Sequence, residues 1–142
     1  MSPETRTLRL PRAPKARGEV AEARFVAKAM SLGFSVSRPI GDSQPFDFIV
    51  QFNHRLTRVQ VKSAWNKHGG GYHFCASLGR TSKYGTRPYA NDEIDFIVAY
   101  VAPEHAWFVI PIAELGHRTQ FKICLGPRSR LLQFKNRWDL LT

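Results

Sequence analysis

Three polar side chains occupy positions in two neighbouring predicted strands where apolar residues would be expected. Asp47 precedes the β-rich apolar run of residues 48–52, and Gln60 and Lys62 alternate with valines in the segment 57–64. Because successive side chains of a strand point to opposite faces, Gln60 and Lys62 share one face. A polar turn between the two segments predicts a hairpin. The acid, the amide and the lysine can therefore meet on one side of it, which outlines a chemical site.

A plainer interpretation of these residues also exists. An aspartate at the start of a strand commonly caps a turn, and polar residues that alternate with valines commonly mark a solvent-facing side. The helix that precedes the hairpin bears on the choice. Residues 18–33 are rich in strong helix formers, and Gly33 suits the C′ position of a helix end. At 100° per residue, one apolar stripe contains Ala21, Phe25, Val26, Ala29 and Leu32.

Glu22 falls in the middle of this apolar stripe. A carboxylate directed at the core costs several kcal/mol if it stays charged and unpaired, so it needs a cation, a metal or a set of donors. One interpretation is a salt bridge to Arg38 or Arg58. The other is a carboxylate directed at the same site as Asp47 and Lys62.

Composition limits the kinds of partner. The chain has 142 residues, enough for one domain with a real core, and a net charge of +10 from 21 Lys plus Arg against 11 Asp plus Glu. This excess favours polyanions, with nucleic acid first and an anionic membrane surface second. No apolar run approaches the roughly 18 residues of a membrane span, and the N-terminus lacks the apolar segment of a signal peptide. We therefore expect no membrane partner and a cytoplasmic location.

The two cysteines, Cys75 and Cys124, are far apart and have no metal-ligand spacing. They are expected to be reduced, half-buried thiols, and a structural zinc site is not expected.

We divide the chain into three predicted parts. Residues 1–17 contain three prolines and five cations, and form a flexible basic arm that either solubilises the protein or binds phosphates. Residues 18–125 form the core domain. Residues 126–142 form a basic extension whose apolar side chains either dock back on the core or serve an oligomer interface.

Strands beyond the central hairpin follow from apolar runs and turn signals. They are predicted at residues 34–40, 72–77, 95–102, 106–110 and 120–124, with one helical turn at 112–115. The three glycines at 69–71 lack the features of a phosphate loop and are predicted to form a hairpin tip close to another backbone segment. Glu93 and Asp95 precede an apolar strand, where capping is favoured over membership of the site.

The segment 78–92 interleaves cations with Tyr84 and Tyr89. Such a pattern suits a nucleic-acid surface, where cations meet phosphates and rings stack on bases, but an ordinary surface loop gives the same string.

The motifs Gly18-x-x-x-Glu22, Pro45-Phe-Asp47 and Gln60-Val-Lys62 occur in this order on a helix and two adjacent strands. This arrangement resembles the PD-(D/E)XK nuclease superfamily. It is most similar to the intron-encoded homing endonucleases of cyanobacterial type, in which Gln replaces the second acid. Archaeal Holliday junction resolvases are also similar and share the glycine and glutamate of the helix start. The resemblance extends from about residue 15 to residue 111.

The resemblance implies a mixed α/β fold, with a restriction-endonuclease-like core and a central mixed sheet of four or five strands flanked by helices. It also implies roles for four residues. Asp47 matches the metal-binding acid, Gln60 the variable acid position, Lys62 the motif lysine and Glu22 the helix carboxylate. The sequence departs from the common pattern because Phe46 separates the proline from Asp47, and because the neutral Gln60 binds a hard cation more weakly than a carboxylate does.

The implied cofactor is Mg²⁺, with Mn²⁺ as a substitute. Its implied ligands are Asp47, the Gln60 amide oxygen, the Val61 carbonyl and Glu22, all oxygens as Mg²⁺ prefers. Lys62 would orient or deprotonate the attacking water, or stabilise the transition state. The predicted DNA contacts are Arg38, Ser43, Gln44, Lys67, Arg80, Lys83, Tyr84 and Arg87.

The predicted function is a metal-dependent DNA endonuclease that cleaves duplex DNA in a sequence-specific way. A junction resolvase that acts on branched DNA and a DNA-binding module without activity are the alternatives. A homo-oligomer, dimer or tetramer, is expected because one small domain cannot read a long site.

Overall fold

The computed structural model describes residues 10–77 and 87–142. The predicted DNA contacts Arg80, Lys83 and Tyr84 lie outside these residues. Within them the helix α1 (Pro14–Ser31) is followed by strands β1 (Ser35–Ser37), β2 (Phe48–Phe52), β3 (Arg55–Ala64), β4 (Tyr72–Cys75), β5 (Phe96–Val101), β6 (Ala106–Pro111) and β7 (Gln120–Ile123). Short 3-10 helices occupy Ala102–Glu104, Ile112–Leu115, Arg130–Phe134 and Trp138–Leu141.

Five strands form a central sheet in the order β1-β2-β3-β5-β6. β3 and β5 are parallel, and the other neighbours in the sheet are antiparallel. The strands β4 and β7 form a separate antiparallel pair, which we call the ribbon. The predicted mixed α/β architecture with a central mixed sheet is therefore confirmed.

The strand β5 lies between β3 and β6 and is buried along its whole length. Its side chains alternate between two core clusters, because successive residues point to opposite faces of the sheet. Ile97 and Ala99 join the ribbon in one cluster. Val98 and Tyr100 join the buried face of α1 in the other. The sheet is thus covered by the helix on one face and by the ribbon on the other.

The helix begins earlier than its sequence pattern predicts. It starts at Pro14 rather than Gly18, because proline suits the first helical position, where its missing N–H is not needed. Part of the segment predicted as a flexible arm is therefore helical. Leu32, predicted in the apolar stripe, is 42% exposed because it lies beyond the last helical residue. Gly33 follows with φ +91°, as its predicted C′ role requires.

The glycine turn between β3 and β4 lies against β7. A Cβ added at Gly71 would stand 2.9 Å from the carbonyl oxygen of Ile123, so the predicted close approach to a backbone is confirmed.

Cys75 is exposed, in contrast to the half-buried position expected for it, because it faces outward from β4. Within the described ranges, no helix combines the length and the apolar character needed to cross a bilayer.

The C-terminal tail is part of the core. Leu131 and Phe134 are buried in the cluster on the ribbon side, and Trp138 and Leu141 are buried in the cluster on the helix side. The Trp138 ring lies 6.1 Å from Phe25 of α1, measured between centroids. The apolar residues of the tail thus dock on the core of their own chain.

We expect Trp138→Ala to lower the free energy of unfolding by about 3–5 kcal/mol, the usual range for removal of a buried aromatic side chain. Chemical denaturation of the full chain measures this change. Gln133→Ala, an exposed position of the same tail, is the matched control and should stay near the native value. Equal stability of the two variants would show that the tail does not contribute to the core.

Candidate active site

The site forms where β2 leaves β3. Phe48 and Val59 are the last residues paired between the two strands in this direction, and the Asp47 N–H still donates to the Val59 carbonyl at 2.9 Å. Beyond this point β3 continues to Ala64, paired with β5 on its other side. The backbone of β3 that faces away from β5 is thereby left available to side chains.

The Asp47 carboxylate takes the place of the missing strand. Its Oδ2 accepts a hydrogen bond from the Val61 N–H at 2.9 Å. The N–H and C=O of one residue point to the same side of a strand, and this alternates along the chain. The Val61 carbonyl therefore faces the same side as Asp47 and lies outside the ladder with β5.

The side chains of β3 alternate as predicted. Val59 and Val61 are buried on one face, whereas Gln60 and Lys62 are partly exposed on the other. The Gln60 side chain and the positive charge of Lys62 both act on the Asp47 carboxyl and tend to lower its pKa. The structure thus brings the three predicted strand residues together.

Glu22 reaches the same place from the helix. Its Oε2 lies 3.5 Å from Nη2 of Arg38, and the nearby Asp47 carboxyl acts on it and raises its pKa. The salt bridge and the membership of the site, stated as alternatives from sequence, occur together. Arg58, the other predicted partner of Glu22, pairs instead with Asp95 at 3.0 Å.

A cleft of about 210 Å³ opens beside the two carboxylates. Its walls come from α1 and from the loop that leads into β2, and are formed by Glu22, Arg38, Pro39, Gly41, Asp42, Gln44, Phe46 and Asp47. Of the predicted DNA contacts, Arg38 and Gln44 therefore line the cleft. Ser43 is exposed next to it. The Arg38 guanidinium lies 5.0 Å from the centroid of the Phe48 ring, which holds this cation at the edge of the cleft.

Burial raises the pKa of both carboxyls, because removal from water disfavours the charged form. For Glu22 the charge of Asp47 adds to this rise, and Arg38 opposes it. For Asp47 the Val61 N–H opposes it, followed by the charge of Lys62. The raised pKa values show that the donors and cations present do not fully compensate two neighbouring negative charges.

The donor set fits a hard divalent cation. Two carboxylates, the Gln60 amide and the Val61 carbonyl offer oxygen atoms only, which are the ligands of Mg²⁺ and Mn²⁺. Residues 10–77 and 87–142 contain no cluster of three or more His, Cys, Asp or Glu side chains able to hold a metal. A metal at this site would therefore have two side-chain carboxylates at most, and would take its other ligands from the Gln60 amide, the Val61 carbonyl, water or a phosphate oxygen.

Tyr89 belongs to the site, although its sequence context suggested a nucleic-acid surface. It is 6% exposed, and the Lys62 Nζ lies 5.6 Å from the centroid of its ring. Burial, and then the charge of Asp47, raise the pKa of Tyr89. A bridge between Ser77 and Pro88 fixes the segment that carries the ring. No local pattern signals this long-range pairing, so the contact could not be predicted from the sequence.

Arg87, another predicted DNA contact, is paired with an acid of its own chain. Its guanidinium forms a bidentate salt bridge with Glu93, in which Nη1 lies 2.5 Å from Oε1 and Nη2 lies 2.9 Å from Oε2. Glu93 also accepts a hydrogen bond from the Ala90 N–H at 3.0 Å, which fits its predicted capping role. Lys67 is exposed in the turn after β3.

We expect Asp47→Asn to stabilise the protein at pH 7 by about 0.5–2 kcal/mol, the range of single stabilising substitutions. The amide keeps an oxygen for the Val61 N–H and removes one of two buried negative charges. Because folding raises the pKa of Asp47, the native protein loses stability as pH rises through that pKa. The advantage of the variant should therefore shrink as pH falls toward 4, and thermal unfolding at several pH values measures it.

Asp139→Asn is the control, because the Asp139 carboxylate is exposed and its pKa is lowered by Arg137. This substitution should not stabilise the protein at pH 7. If Asp47→Asn destabilises the protein at every pH, the carboxylate is better compensated than its surroundings indicate.

Comparisons with known proteins agree with this geometry. The family model described as PD-(D/E)XK endonuclease matches residues 12–139. A search of curated proteins found no match. Among solved structures, "The structure of a bacterial homing endonuclease: I-Ssp6803I" is similar with a TM-score of 0.79 and 25% identity, covering 91% of this chain and 93% of the other.

The fold is therefore restriction-endonuclease-like, as the sequence motifs implied, and the structural neighbour is of the homing type that they indicated. With a family model that spans nearly the whole chain, the protein belongs to the PD-(D/E)XK endonuclease family.

Proposed function

We propose that this nuclease is a metal-dependent DNA endonuclease that cleaves duplex DNA sequence-specifically. The observation that carries the proposal is the convergence of Asp47, Gln60, Lys62 and Glu22 on one side of the β2–β3 divergence. The net charge of +10 suits a polyanionic substrate. The homing endonuclease among the structural neighbours supports sequence-specific action.

Asp47 and Glu22 are the anchors of the proposed metal site, with Mg²⁺ as the proposed ion and Mn²⁺ as a substitute. Bound there, the ion would supply Lewis acidity and lower the pKa of a bound water. The Val61 N–H donates a hydrogen bond to one oxygen of Asp47. The other oxygen is the proposed metal ligand. Gln60 contributes an oxygen without a further negative charge.

Lys62 is the proposed cation of the reaction. It lies between the Asp47 carboxylate and the face of the Tyr89 ring. Both neighbours attract its positive charge, the carboxylate by its negative charge and the ring by its quadrupole. An ammonium at this place stabilises negative charge that develops on a phosphoryl oxygen.

A DNA-binding module without activity is the second candidate. The observation that favours it is Gln60, because a neutral amide replaces an acid in the donor set. A junction resolvase would use the same residues on branched DNA.

For a sequence-specific enzyme of this size we propose a homo-oligomer, dimer or tetramer, and we propose the cytoplasm as its location.

We expect Asp47→Ala to abolish cleavage of plasmid DNA in Mg²⁺, and Lys62→Ala to slow single-turnover cleavage by about 10²–10³-fold. Both variants should retain DNA binding, measured in parallel at matched salt. Lys28→Ala is the control for the lysine, because Lys28 is exposed on α1.

The substrate separates the candidates. Faster cleavage of a branched junction than of any duplex would favour the resolvase. Tight, salt-sensitive binding by the native chain, with no cleavage of any substrate in Mg²⁺ or Mn²⁺, would favour the binding module.

The contact between Tyr89 and Lys62 gives a further prediction. Tyr89→Leu should reduce the single-turnover cleavage rate about tenfold, because it removes the ring that positions the ammonium, whereas Tyr89→Phe should retain the rate. Tyr72→Leu is the control, since Tyr72 is buried in the same core cluster. Equal losses of rate in Tyr72→Leu and Tyr89→Leu would mean that Tyr89 acts only through stability.

A further inference from the structure

The ribbon of β4 and β7 has two unlike faces. The inner side chains, Tyr72, Phe74, Phe121 and Ile123, are buried in the core. The outer side chains are His73, Cys75, Gln120 and Lys122, and all four are exposed. We call these four residues the outer ribbon face. The register places His73 opposite Lys122, and Cys75 opposite Gln120, so the four form a compact polar patch.

The ribbon packs on the central sheet through its inner side chains, which share one core cluster with Ile97 and Ala99 of β5. Within the ribbon, Phe74 and Phe121 stack with ring centroids 5.0 Å apart and an angle of 8° between their planes. After β4 the chain forms a bridge between Ser77 and Pro88, and Pro88 adjoins Tyr89. The Tyr89 ring lies 5.6 Å from the Lys62 Nζ, so these contacts connect the end of β4 with the candidate site.

Positive charge borders the ribbon on two sides. A groove of about 670 Å³ runs beside β7, and its basic side chains are Arg118, Lys122, Arg128 and Arg130. Arg130 also pairs with Glu114 at 3.4 Å. A cleft of about 280 Å³ lies beside His73, and its cation is Arg17. Charge complementarity therefore selects a polyanion as the occupant of this surface.

The outer ribbon face has dimensions that fit the major groove of duplex DNA. Two strands about 4.8 Å apart fit a major groove about 12 Å wide, which is known to admit a β-ribbon. Four residues at about 3.3 Å each span about 13 Å, or roughly four base-pair steps of 3.4 Å. A ribbon of this length can therefore contact a short run of bases.

The side chains have the required donors and acceptors. The amide of Gln120 can pair with the N6 and N7 atoms of adenine, and an ammonium can donate to O6 and N7 of guanine. Lys122 Nζ donates one hydrogen bond to the Gly69 carbonyl at 2.5 Å, which orients it and leaves two further donors. A ring nitrogen of His73 lies 3.2 Å from the His68 carbonyl, which orients that side chain as well.

We propose that the outer ribbon face enters the major groove of duplex DNA and reads bases there, with Gln120 and Lys122 as its principal reading residues. This inference deepens the proposed function and rests on it. The basic side chains beside the ribbon hold the phosphates on either side of the groove. The packing of the ribbon on the central sheet relates the position of the bases that are read to that of the bond that is cut.

The test is a binding selection from a randomised duplex library in EDTA, with the native full-length chain, Gln120→Ala, Lys122→Ala and Gln51→Ala. Gln51 is the matched control, an exposed glutamine on β2. The native chain should enrich a motif. Gln120→Ala should lose preference at one or two of its positions and bind the native motif about tenfold more weakly, with affinity for unrelated duplex within twofold of native. Lys122→Ala should relax a neighbouring position.

Gln51→Ala should enrich the native motif unchanged, and thermal unfolding should confirm that every variant is folded. The proposal is overturned if the ribbon variants enrich the native motif with undiminished preference, or if the native chain enriches none. Because binding is measured without a divalent ion, these results do not depend on cleavage. If the native chain enriches a motif that depends on the ribbon residues but cleaves no DNA in Mg²⁺, only the proposed nuclease activity is refuted.

Discussion

The hydrogen bond from the Val61 N–H to the Asp47 carboxylate is the interaction on which the site depends. It exists because β2 ends at Phe48 while β3 continues, so that a side chain takes the place of a strand. The parallel pairing with β5 holds β3 from its other side. A slip of one residue in that pairing would exchange the faces of β3 and turn Gln60 and Lys62 into the core.

The local elements of the fold could be predicted from the sequence because their signals are local. The alternation in β3 and the apolar run of β5 follow directly from side-chain periodicity, and the strand positions were predicted within a few residues. The convergence of Asp47, Gln60 and Lys62 followed from the same periodicity. The contacts of Arg87 with Glu93 and of Tyr89 with Lys62 could not be predicted, because no local pattern records them.

Glu22 shows why both interpretations of a buried carboxylate can hold. Arg38 lowers the cost of its charge, yet burial and the nearby Asp47 still raise its pKa. Neighbouring partly buried charges of one sign oppose folding. A cationic ligand between the two acids would offset this cost, which is the physical basis for proposing the cleft as a functional site.

The charge of the whole protein and the charge of the cleft have opposite signs. A net charge of +10 draws a polyanion toward the surface, whereas Asp47 and Glu22 repel a phosphate that enters the cleft. On the proposed function, a divalent cation between the carboxylates and the phosphate removes this conflict. Affinity for DNA and competence for cleavage are then separate properties. The basic surface supplies the first without metal, and the cleft supplies the second when its two charges are neutralised.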